Sequence, residues 1–136
     1  MNDSQPVVSI TARRVWLLGF WFTLALVTWL ALTPSPPRPV TYFSDIVLHA
    51  AAFTVLMFLC CQAHFRTTLL PPALAMLAYG LGIEVVQGLM GARFAEVKDF
   101  LVDLVGIGAG AVMRKVLGDL ADRVMHTLLS LLRLEN

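Results

Sequence analysis

Long apolar blocks separated by short polar segments dominate this chain. The first block, Val15–Thr33, contains no charged residue, and its length is close to the roughly 20 residues that a helix needs to cross a bilayer. It is followed by the proline-rich segment TPSPPRPV, Thr33–Val40. Proline removes backbone donors and restricts the residue before it, so this segment cannot continue a helix. The pattern predicts a first membrane-spanning helix followed by an extended loop.

Three further helices are predicted from the remaining apolar blocks. The second covers about residues 44–62, with Ser44 as a favourable N-cap. The third covers about residues 69–89, and two prolines near its start are tolerated in a first turn. The fourth begins near residue 97 and is predicted to end before the basic pair Arg114-Lys115. Its Gly-x-x-x-Gly motif predicts close packing against a neighbouring helix.

The C-terminal segment has a different pattern. From residue 117 onward, leucine and valine recur at helical spacing, and charged residues occupy other positions on the wheel. This predicts an amphipathic helix that lies on the membrane surface or extends the fourth span. The predicted organisation is therefore a polar N-terminal segment (1–14), a four-helix transmembrane domain (15–116) and an amphipathic C-terminal helix (117–136).

Composition also indicates a membrane protein. Apolar residues make up 58% of the chain and charged residues 14%, against about a quarter charged in typical soluble proteins. A net charge of +1 and the lack of a basic stripe predict no nucleic-acid partner. Cys60 and Cys61 are adjacent and have no metal-binding or disulfide spacing, so we interpret them as core residues.

The basic residues predict the orientation. Most of the ten lysines and arginines fall on the side of the two termini, which the positive-inside rule assigns to the cytoplasm. The predicted fold is therefore an all-α, four-helix transmembrane bundle with both termini and the C-terminal helix cytoplasmic.

This topology brings polar residues from three helices to the outer face of the membrane. The start of the second helix, the end of the third and the start of the fourth meet there. The predicted members are Asp45, His49, Glu84, Gln87, Arg93, Asp99 and Asp103. A carboxylate near the bilayer centre costs about 2.5–3.5 kcal/mol, so the acids are predicted to face the bundle interior and to pair with Arg93, His49 or Lys98. The opposite end of the bundle is predicted to contain no comparable set.

The order and spacing of these residues resemble the VanZ-like family of small bacterial membrane proteins. The family pattern has an acid and a histidine opening one helix, then Glu-x-x-Gln, a turn arginine and Asp-x-x-x-Asn-x-x-Gly opening the next. Here the pattern reads Asp45, His49, Glu84, Gln87, Arg93, Asp99, Asp103 and Gly106. The match covers about residues 42–113. Ile46 replaces a frequent lysine and Asp103 the usual asparagine, which makes this site more acidic than the pattern.

The resemblance implies a multi-pass protein of the bacterial cytoplasmic (inner) membrane with a role in the cell envelope. The founding association of the family is with low-level resistance to the lipoglycopeptide teicoplanin. The resemblance implies the fold more directly than it implies this resistance phenotype, because one fold supports many functions.

Three functions stay open for this polar set. It can bind the headgroup of a membrane lipid or glycolipid, with Arg93 holding phosphate or carboxylate and the acids and Gln87 bonding sugar hydroxyls or amines. It can act on a lipid-linked substrate, with His49 and Glu84 as base and acid. It can instead be a structural scaffold that holds the helices together. Neither a cofactor nor a metal is predicted, no catalytic residue is assigned, and a homo-oligomer is compatible with the sequence.

Overall fold

The computed structural model describes residues 10–33, 45–64, 68–90 and 97–132, and within these ranges the chain forms four α-helices. They are α1 (Ile10–Leu32), α2 (Asp45–Ala63), α3 (Leu70–Leu89) and α4 (Val97–Leu131). The predicted all-α class is confirmed. Three helices are long and apolar enough to cross a membrane, namely α1, α3 and the part of α2 from Ile46 to Ala63.

Two helix boundaries differ from the prediction. α1 begins at Ile10, so Arg13 and Arg14 lie inside the helix and not before it. α4 is one helix of 35 residues, and the predicted end before Arg114 is wrong. The segment from residue 117 onward therefore continues α4, which is one of the two arrangements predicted for it, an extension of the fourth helix. No proline interrupts α4, and arginine, lysine and leucine all favour helix, so nothing in the local sequence stops it.

α2 and α4 run in the same direction and share the most extensive interface in the bundle. Thr54 Oγ1 donates to Gly106 O at 3.1 Å. Further along both helices, Gln62 Nε2 donates to Gly118 O at 3.2 Å. Because the residue numbers of the two partners rise together, the helices are parallel. The start of α2 and the start of α4 consequently lie at the same end of the bundle.

Glycines allow this close approach of α4 to α2. A Cβ atom on Gly106 would lie 2.7 Å from Ala50 O, and one on Gly110 would lie 2.5 Å from Thr54 O. Both distances are shorter than Cβ atoms tolerate, so only glycine fits without displacement. Gly108, between them, would meet nothing within 4 Å. The packing role predicted from the Gly-x-x-x-Gly spacing is confirmed.

α2 supplies most of the buried apolar core. The core residues are Phe20, Phe53, Leu56, Met57, Cys60, Cys61, Ala63, Met76 and Ile107. Cys60 and Cys61 are both buried and free, which confirms their interpretation as core residues. Large apolar side chains of α1, α3 and α4, such as Phe22 and Leu81, are exposed on the outside of the bundle. Helices that are apolar on the outside as well as the inside are typical of a membrane protein.

α1 and α3 also run in the same direction. The hydroxyls of Thr28 and Tyr79 lie 2.8 Å apart, and Gln87 Nε2 donates to Ala31 O at 2.8 Å. The residue numbers again rise together, so the last turns of α1 and α3 lie at the same end of the bundle.

Candidate functional site

His49 and Asp103 form a hydrogen-bonded pair at the centre of the candidate site. His49 lies one turn after the start of α2, and Asp103 lies in the second turn of α4. The distance from His49 Nδ1 to Asp103 Oδ1 is 2.9 Å, and the ring nitrogen is the donor because an ionised carboxylate only accepts. The Asp103 side chain is 3% exposed and that of His49 16% exposed. The pair therefore joins α2 to α4 inside the bundle.

Gly80 of α3 leaves the space that the Asp103 carboxylate occupies. A Cβ atom on Gly80 would lie 2.7 Å from Asp103 Oδ2 and 3.0 Å from the Phe53 ring. Gly80 was not among the predicted site residues. Its signal in the sequence is a glycine one turn before Glu84, which places both on the same face of α3.

Two further carboxylates, Glu84 and Asp99, are buried beside the pair. Both are less than a tenth exposed, and both lie close enough to the His49 ring to act on it electrostatically. Asp99 Oδ1 is buried and has no hydrogen-bond partner among the described residues. We call His49, Glu84, Asp99 and Asp103 the acidic cluster. Its members come from three helices, as the sequence predicted.

Gln87 contacts the backbone of another helix. Its side chain is buried, and its Nε2 donates to Ala31 O in the last turn of α1. Carbonyls in the last turn of a helix have no partner within that helix, so Gln87 satisfies one of them. The amide nitrogen thus fastens α1 to α3.

Arg93 lies outside the described residues, and so does the side chain of Asp45, whose backbone begins α2. The predicted pairing of the acids with Arg93 therefore stays a prediction. Within the described ranges, no three histidine, cysteine, aspartate or glutamate side chains are grouped so that they could hold a metal ion.

A second polar set joins three helices at the opposite end of the bundle. Asp122 Oδ1 accepts from Trp16 Nε1 at 3.2 Å and from Gln62 Nε2 at 3.3 Å. Gln62 and Asp122 are both buried. The expectation that this end contains no comparable set is wrong. The signal in the sequence was Gln62 itself, an isolated amide at the end of an apolar helix, which needs a partner when it is buried.

The described part of the chain is all-helical, and three of its helices are long and apolar enough to cross a membrane. Three helices also converge on the buried acidic cluster. Comparison with protein-family models, with curated proteins and with solved structures gave no match for this chain. Its function is therefore inferred from its residues and their geometry.

Proposed function

We propose that this chain is a VanZ-like protein of the bacterial cell envelope, and that its acidic cluster binds the headgroup of an envelope lipid or glycolipid. The main support is Asp99, a buried carboxylate whose Oδ1 has no hydrogen-bond partner among the described residues. A buried acceptor in this state costs about 1–3 kcal/mol. A ligand that donates to Asp99 recovers this energy, whereas a purely structural network is expected to satisfy such an atom itself.

We further propose that all four helices cross the membrane. α4 contains charged residues among its apolar ones, yet its stretch from Asp103 to Gly118 lies alongside α2, which is apolar enough to cross. At 1.5 Å per residue this stretch rises about 24 Å, close to the roughly 30 Å of the hydrocarbon core.

With both termini in the cytoplasm, as the positive-inside rule favours, the acidic cluster faces the outer leaflet. Reporters active only in the cytoplasm or only outside it, fused after Asn136 and between α1 and α2, should give opposite signals. The same signal at both sites would refute this orientation.

Acid–base catalysis on a lipid-linked substrate is a second candidate. Asp103 binds His49 Nδ1, which leaves Nε2 available to a substrate. A carboxylate that fixes the ring in this way is common where histidine acts as a general base. Conversion of a lipid by the purified protein, lost in His49→Gln, would favour this candidate over binding alone.

The binding proposal is tested by native mass spectrometry of the protein released gently from membranes. Wild-type protein should retain a lipid, and Asp99→Ala should lose it while melting at the same temperature or higher, because the variant removes a buried acid with an unsatisfied oxygen. Asp119→Ala is the matched control, since that acid is on the same helix and its side chain is 86% exposed. A lower melting temperature with unchanged lipid in Asp99→Ala would show a structural role instead.

A further inference from the structure

We infer that the acidic cluster selects a headgroup that carries a protonated primary amine, an inference that rests on the proposed lipid binding. The three acidic residues of the cluster, Glu84, Asp99 and Asp103, are 6%, 8% and 2% exposed when the whole residue is counted. Acids brought together in a poorly hydrated interior repel one another and repel any anion that approaches them. The same arrangement attracts a cation.

Asp99 is the carboxylate available to that cation. Asp103 is hydrogen-bonded to His49, and Glu84 has an interaction of its own. Asp99 differs from both, because its buried Oδ1 accepts from none of the described residues. Lys98 is its neighbour in sequence, but adjacent residues of a helix do not face each other, and Lys98 is exposed.

Asp99 also lies in the first turn of α4, where the positive end of the helix dipole is close to its carboxylate. A charged carboxylate that is buried there without a hydrogen bond to Oδ1 needs a donor from elsewhere. The missing partner is thus both a cation and a hydrogen-bond donor.

Hydrogen-bonding chemistry narrows the choice of cation. Ionised carboxylates such as that of Asp99 only accept hydrogen bonds. A primary ammonium offers three N–H donors, and one of them can satisfy Asp99 Oδ1. A quaternary ammonium has the same charge but no N–H, and a phosphate or glycerol headgroup has no positive charge. The cluster should therefore distinguish a primary amine from each of them.

The test uses full-length protein in nanodiscs and three lipids with identical acyl chains: phosphatidylethanolamine, phosphatidylcholine and phosphatidylglycerol. Native mass spectrometry should show phosphatidylethanolamine retained about tenfold or more over either of the others, the effect of one satisfied buried charge-assisted hydrogen bond. Asp99→Asn keeps the shape of the side chain and should abolish this preference, whereas Asp119→Asn should leave it unchanged. The comparison among lipids uses the wild-type protein, so it stands even if Asp99→Asn does not fold.

The outcomes separate this inference from the proposed function. Equal retention of the three lipids, or a preference for phosphatidylglycerol, would overturn amine selection and leave headgroup binding intact. Retention of no lipid at all would refute headgroup binding itself. A preference that appears only with added Ca²⁺ or Mg²⁺ would also overturn amine selection, because a metal ion would then bridge acids and phosphate. If free ethanolamine displaces the lipid, the cluster binds an amine from solution. If the lipid resists displacement, the bound amine belongs to a lipid headgroup.

Discussion

Replacing Gly110 by alanine should destabilise the bundle more than the same change at Gly108 on the same helix. A Cβ atom at Gly110 would lie 2.5 Å from Thr54 O and 2.7 Å from Met57 Cβ, whereas one at Gly108 would meet nothing within 4 Å. Ordinary contact begins at 3.4 Å, so α2 and α4 would have to separate by about 0.9 Å to admit the new methyl group.

The magnitude follows from comparing the two variants. Both gain the helix propensity of alanine over glycine, about 1 kcal/mol, and this gain cancels in the difference. What is left is the cost of overpacking at Gly110, typically about 1–3 kcal/mol. The two nearest atoms are Thr54 O and Met57 Cβ, and neither can rotate away, so we expect the upper half of this range. The separation would also lengthen the hydrogen bond from Thr54 to Gly106.

Thermal unfolding of the two purified variants in one detergent, followed by circular dichroism, measures this difference. Gly110→Ala should melt several degrees below Gly108→Ala. Gly106→Ala, whose methyl group would lie 2.7 Å from Ala50 O, should change in the same direction. Equal melting temperatures for the variants at 108 and 110 would refute the close packing of α4 on α2.

Three other outcomes are expected. Asp103→Ala should lower the melting temperature more than Asp119→Ala, since breaking a buried pair costs about 3–5 kcal/mol and losing an exposed charge costs little; similar values would argue against the pair. Gln62→Leu should cause a smaller loss than Asp103→Ala, because hydrogen bonds between membrane helices average about 0.6 kcal/mol; a larger loss would contradict this ranking. Where the protein confers lipoglycopeptide tolerance, Glu84→Gln should keep its melting temperature and lose the tolerance, whereas Asp103→Asn, the residue usual in the VanZ-like pattern, should keep both. A fully tolerant, stable Glu84→Gln strain would exclude a role for that charge.

The parts of the fold that depend on local chemistry could be predicted from the sequence. Apolar length predicted the helices, the prolines after Thr33 predicted the end of α1, and the spacing of Gly106 and Gly110 predicted close packing. The end of the fourth helix could not be predicted in the same way. Arg114 and Lys115 mark the place where an apolar span ends, but a charged residue does not end a helix, and α4 continues to Leu131.

The candidate site could likewise be predicted only in part from the sequence. His49 and Asp103 were assigned to one layer because topology and helical spacing place them there, and the structure brings them within 2.9 Å. The contact of Gln87 with Ala31 O could not be predicted, because every residue has a backbone carbonyl and its use as an acceptor leaves no mark on the sequence. The position of Gly80 against Asp103 depends on the distance between two helices, which the sequence of either helix alone does not determine.

The parallel pairing of α2 with α4 also bears on how the protein is made. If α4 crosses the bilayer as proposed, the translocon must insert a helix whose outer end contains Asp99 and Asp103. A carboxylate costs about 2.5–3.5 kcal/mol at the membrane centre and less toward the interface. The helix that can lower this cost is α2, which is synthesised two helices earlier and offers His49 as a partner and a surface shaped for Gly106. We expect α2 to be in the membrane before α4 leaves the ribosome, so that the acidic cluster forms when α4 inserts. A nascent chain truncated before α4 is expected to be degraded by membrane proteases.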